Sequence, residues 1–251
     1  LIDCESLQTA LHSLCSLFCC SEKRIKGKLL KIDLDRVYEK DEPNCTPDHF
    51  LYRNLESTFG TPRQPDAVCW FHLTRTFRTN KFIEGILPLG MALDSIWDTI
   101  LSIFSKTDHY SRLKDMRMEG ISNYHYKLKV PNPLLWGPFA MLVRDVAFSP
   151  EKMANHDYLR LPEIIEDICN DYLDRYQVSI HQDIIDALVP CIVKFVVHEN
   201  SGVWCIAPAI YYVYRGIRGK SVCLDANTCF DGRGNLIPRT NILQIDYIEK
   251  P

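Results

Sequence analysis

An α+β fold is what this sequence predicts, and three observations predict it. Helical and strand periodicities are both present. They follow one another without the regular strand–helix alternation of a doubly wound sheet. The 251 residues are 46% hydrophobic and 24% charged, which supplies the apolar surface for a sizeable core.

Taken in order, Leu7, Leu11, Leu14 and Phe18 recur at helical spacing, with Asp3 or Ser6 as the cap. Leu30, Ile32 and Leu34 alternate with Lys31, Asp33 and Asp35, the pattern of a half-buried strand. The stretch 39–65, punctuated by Pro43, Pro47, Pro62 and Pro65, reads as a connector with a short helix over Phe50–Leu55. Val68-Cys69-Trp70-Phe71 opens a buried strand over 66–76, whose polar end, His72-Leu73-Thr74-Arg75, is expected to emerge into a cleft. A helix over 80–104, broken near Pro88, follows. Strands are expected at 139–143, 191–197, 209–217 and 242–248, and amphipathic helices around Leu161–Tyr172 and Ile184–Leu188. This gives an N-terminal extension, 1–65, packed on a core domain, 66–251.

The net charge of −3 provides no general basic field, so any nucleic-acid contact has to be local. Eleven cysteines show no C-x-x-C spacing, so no metal site is expected. Several lie among apolar neighbours, as free thiols do in a reducing compartment. The best candidate for a membrane span, 85–104, carries Asp94 and Asp98, which hydrocarbon would not accept. The opening Leu1-Ile2-Asp3-Cys4-Glu5 lacks a signal-peptide layout, so a cytoplasmic location is expected. Gly-x-Ser-x-Gly, Gly-x-Gly-x-x-Gly and the Walker loop are absent. A thiol hydrolase built on Cys191 or Cys205 with His198 or His72 lacks an electropositive helix start at the cysteine.

Phe71-His72-Leu73-Thr74-Arg75, followed by Asn80, Phe82-Ile83, Gly85-Ile86-Leu87 and Pro88-Leu89, resembles the first strand and helix of ADP-ribosyltransferases. The DarT-type nucleic-acid ADP-ribosyltransferases are the nearest pattern, with the poly-ADP-ribose polymerase and tRNA 2′-phosphotransferase group more distant. The resemblance covers about 68–89, with an echo at Trp136-Gly137-Pro138-Phe139-Ala140-Met141-Leu142. It implies NAD as a substrate. His72 would hydrogen-bond a ribose hydroxyl, the Leu73 backbone would clamp the carboxamide, and Thr74 and Arg75 would hold a ribose or the pyrophosphate. Phe139, Tyr126 or Tyr124 would stack on nicotinamide. The family's late glutamate falls on Glu199, the only glutamate between 167 and 249, with Asp225 and then Glu119 as further candidates. A carboxylate is wanted because breaking the nicotinamide–ribose bond develops oxocarbenium character.

The resemblance also implies a macromolecular acceptor, nucleic acid or protein, and a toxin or defence role with a neutralising partner. Simpler readings stand beside it. His72 is a structural residue, Arg75, Arg78 and Lys81 solvate a helix start, and Tyr211, Tyr212 and Tyr214 pack on a strand. The chain is then a catalytically silent binding module.

Overall fold

The computed structural model describes residues 1–41, 44–198 and 202–249. Among them are ten α-helices: α1 (Leu7–Leu17), α2 (Glu22–Leu30), α3 (Leu34–Asp41), α4 (Pro47–Phe59), α5 (Leu89–Ile103), α6 (His109–Glu119), α7 (Tyr124–Lys129), α8 (Glu163–Tyr176), α9 (His181–Ala187) and α10 (Ile206–Gly216). The strands are β1 (Val68–Thr76), β2 (Phe139–Met141), β3 (Val189–Val197), β4 (Cys229–Asp231) and β5 (Ile242–Tyr247). They form one antiparallel sheet in the order β4-β2-β1-β3-β5, with Phe71 opposite Met141 in the β1–β2 ladder. The fold is α+β.

Contacts divide the chain into two units, each discontinuous in sequence. The first holds 1–71, 140–155 and 195–230; the second holds 72–139, 156–194 and 231–251. In the first unit, Ile2 bridges Val68 and Cys4 bridges Val143, which ties the N-terminal arm to the strands. Ser6 caps α1 through a box with Thr9, its side chain accepting from the Thr9 N–H at 3.2 Å. At the centre of this unit is α10, packed on α1 and α4, with every residue from Ile206 to Tyr214 buried.

That helix corrects the strand expected over 209–217. A continuous run of Ile, Tyr and Val does not distinguish a buried strand from a buried helix by periodicity. Burial on all sides is tolerated because the tyrosine hydroxyls are satisfied. Tyr212 donates to Asp145 at 2.7 Å, and Tyr214 donates to the Ile32 carbonyl while accepting from the Leu34 N–H. The strand expected at 30–34 is also absent. Leu30 ends α2 exposed, Ile32 lies in the turn and Leu34 begins α3. Ile25 and Leu29, both fully buried, carried the stronger, helical signal. The connector over 39–65 holds a longer helix than expected, α4, with Pro47 at its first turn, where proline's missing N–H costs nothing.

The second unit is built around a helical cluster. Trp97 and Ile100 of α5 and Phe104 at its C-cap meet Leu113 and Met116 of α6, and Ile164, Ile165, Ile168 and Tyr172 of α8. Helix α5 starts only after Pro88, so 80–88 is not helical. Pro88 has an extended backbone at the cap, as its fixed φ favours. Arg117 clamps α6 to α5 through Asp94 and Asp98, at 2.9 and 2.6 Å. The two aspartates that spoke against a membrane span thus have a structural partner. Among the described residues, no helix is long and apolar enough to cross a membrane.

Candidate functional site

Strand β1 carries the motif, and its two-residue alternation sorts it. His72, Thr74 and Thr76 are half-buried on one face, while Leu73 and Arg75 are buried on the other. His72 lies mid-strand, with four residues of β1 beyond it, rather than at the strand end.

The His72 imidazole is fixed in one orientation. Its Nδ1 lies 2.8 Å from the Phe139 carbonyl, and a carbonyl only accepts, so Nδ1 carries the proton and donates. Burial holds this histidine below its ordinary range, opposed by the hydrogen bond to Phe139. The result is a neutral ring whose Nε2 is left as an acceptor. The Phe139 ring, on the adjoining strand, is exposed at 41%. His72 and Thr74 thus share one face of β1, with His72 held to the Phe139 carbonyl, while the Leu73 side chain between them in sequence is buried on the other face.

Arg75 must be corrected. Its guanidinium donates to the carbonyls of Leu159, Ile185 and Leu188 at 2.6, 2.5 and 2.6 Å, the last two at the C-terminal end of α9. Loose carbonyls at a helix end need donors and attract positive charge. Arg75 fills that structural need, and Asp157 and Asp186 add favourable charge against the cost of burial. A residue three positions from His72 on a strand lies on the opposite face.

Tyr126 is likewise committed elsewhere. Its ring packs against the helical cluster of the second unit, and its hydroxyl accepts from Trp97 Nε1 at 3.3 Å. Tyr124 is the exposed one, edge-on to His125. Glu199 lies outside the described residues. Asp225 is exposed beside α10 in the first unit, and Glu119 pairs with Arg175 at 3.2 Å.

The glycines of the motif have packing reasons of their own. Gly85 takes φ +89°, and a Cβ there would lie 2.1 Å from the Ile237 carbonyl oxygen. This close approach permits the Ile86–Ile237 bridge. Gly90 lies against the Trp136 ring, where a Cβ would come within 2.4 Å, and the Leu89 N–H donates to the Trp136 carbonyl at 3.0 Å. The Gly-Ile pair thus packs on the segment around Ile237, while Leu89 and Gly90 pack on Trp136. Tyr211, Tyr212 and Tyr214 are buried on a helix, the packing reading. Cys191 and Cys205 are buried, and burial raises the Cys191 thiol to about 12, which removes it as a nucleophile at neutral pH.

No family model, no curated protein and no solved structure matches this chain.

Proposed function

We propose that this chain is an NAD-consuming ADP-ribosyltransferase that modifies a macromolecule, nucleic acid or protein. The observation that carries the reading is His72. A neutral imidazole with Nδ1–H donated to a backbone carbonyl presents Nε2 as a fixed acceptor for a ribose hydroxyl. Thr74 shares its face of β1, and the exposed Phe139 ring offers a surface for nicotinamide.

In the proposed reaction the C1′–N bond of NAD breaks and its electron pair leaves on the pyridine nitrogen as neutral nicotinamide. An acceptor oxygen or nitrogen forms the new bond to C1′ and gives up its proton to a carboxylate and then to water. Glu199 is proposed for that carboxylate on the sequence resemblance, as the only glutamate between 167 and 249. It would also hold the ribose 2′-OH and offset the developing positive charge. A toxin or defence role with a neutralising partner belongs to the same proposal.

The test is nicotinamide release from NAD in the presence of DNA, RNA and protein acceptors, with mass added to one of them. Glu199→Gln should bind NAD and lose about 10²–10³ in transfer, whereas His72→Ala should also weaken NAD binding. One observation favours a silent binding module instead: Arg75, the expected pyrophosphate partner, is spent on backbone carbonyls. The absence of nicotinamide release from wild-type protein with every acceptor would establish that second reading.

A further inference from the structure

Helix α2, reading EKRIKGKLL, buries Ile25 and Leu29 on one side and carries its cations on the other. Successive residues turn by about 100° around a helix, so Lys23, Arg24, Gly27, Leu30 and Lys31, at or just past its end, share the outward side, with Lys26 and Lys28 on its flanks. Lys23, Arg24 and Lys31 are exposed. Arg24 lies over the Phe59 ring at 5.0 Å, which limits the rotamer freedom it would lose on binding. The acids nearby in sequence are engaged. Glu22 pairs with Lys26 at 3.3 Å, Asp33 accepts from the Arg36 N–H at 3.2 Å, and Asp35 faces Lys220 at 3.5 Å. A chain of net charge −3 therefore concentrates five cations within residues 23–31.

Gly27 is the second observation. It sits in the interior of α2, where glycine is less stable than alanine, and a Cβ added there would meet nothing within 4 Å. No packing contact calls for a glycine at the centre of the basic side. A smooth backbone between cations suits close approach of another chain's phosphates.

We propose that this side of α2 is a docking surface for a nucleic-acid backbone, read by charge and shape without base contacts. Charge complementarity names the occupant class. Ile25 and Leu29 of α2 are buried within the protein, and Leu30 alone is an exposed apolar side chain on this helix, too little for a bilayer-facing stripe, which disfavours an anionic membrane. The proposal stands independently of NAD chemistry.

The test is fluorescence anisotropy with a labelled 20-base-pair DNA duplex, over a salt series, using the whole chain. Four cations without an ion-pair partner among the described residues, Lys23, Arg24, Lys28 and Lys31, predict a slope of log K against log salt of about −3.5. The triple variant Lys23→Glu/Arg24→Glu/Lys31→Glu should weaken binding by about tenfold or more at 100 mM salt. Its circular dichroism spectrum should stay unchanged, and Lys31→Glu alone should give a smaller loss in the same direction. Reversal of three exposed lysines elsewhere, Lys106, Lys114 and Lys152, should leave affinity within about twofold. Equal binding by the triple variant and the wild type would overturn the proposal. So would no duplex binding at 100 mM salt, or binding to phosphatidylserine vesicles but not to the duplex.

Discussion

His72 has a protonation state that can be measured. Its pKa is lowered by burial from the ordinary 6.5, so below pH 6.5 the unfolded chain takes up a proton that the folded chain resists. The stability this histidine contributes is present above 6.5 and declines as pH falls toward its lower folded value. Melting temperature measured from pH 7.5 to 5 should fall more steeply for the wild type than for His72→Gln. An equal slope would show that His72 titrates normally. Arg75 makes the opposite kind of prediction, about structure alone. Arg75→Met leaves three carbonyls without their donor and should cost about 3–5 kcal/mol by urea denaturation. Lysine cannot reach three acceptors with a planar fork, so Arg75→Lys should recover only part of that loss. The alternation of β1 was available in the sequence, and it alone places Arg75 opposite His72 and Thr74. What Arg75 binds was not available, because its three acceptors come from residues 84, 110 and 113 positions away.

At the scale of elements, Gly85 is the most exacting position. Gly85→Ala would combine a backbone at φ +89° with a Cβ driven into the Ile237 carbonyl, and should cost about 2 kcal/mol or more. Loss of the Ile86–Ile237 pairing should appear as faster amide exchange at Ile86 and Ile237, whose N–H groups donate across the bridge. Ser6→Ala removes the α1 cap and should cost about 1 kcal/mol. Elements with a polar rhythm were legible: α1, α8 and β1 lie where their periodicity placed them. Where the apolar run was unbroken, as in α10, or only three residues long, as at 30–34, neither period was decisive and the surroundings chose the helix. Helix α6 was missed because its buried residues, Leu113 and Met116, are only two within eleven.

At the scale of the molecule, thiol accessibility reports on both units at once. None of the eleven cysteines is in a disulfide, and Cys4, Cys69, Cys169, Cys191 and Cys205 are buried. Burial raises the Cys15 thiol to about 11 as well. A disulfide-exchange reagent at pH 8 should label Cys19 first in the native protein, and the five buried thiols only on global unfolding. Rapid labelling of Cys191 or Cys169 in the native state would contradict the packing of the second unit. Rapid labelling of Cys4 or Cys205 would contradict that of the first.

The sequence by itself determined the class of this protein and the identity of its central strand, because periodicity and apolar content act locally and survive without knowledge of partners. Its resemblance also grouped His72, Leu73, Thr74, Arg75, Tyr126, Phe139 and Glu199 as one expected site. Only the tertiary structure decided which of the neighbouring residues are spent on the fold. It committed Arg75 to the end of α9, Tyr126 to the helical cluster and Gly85 to the segment around Ile237. Each of those outcomes depends on contacts between segments distant in the chain, and no local pattern encodes which distant carbonyl, ring or backbone a side chain will meet.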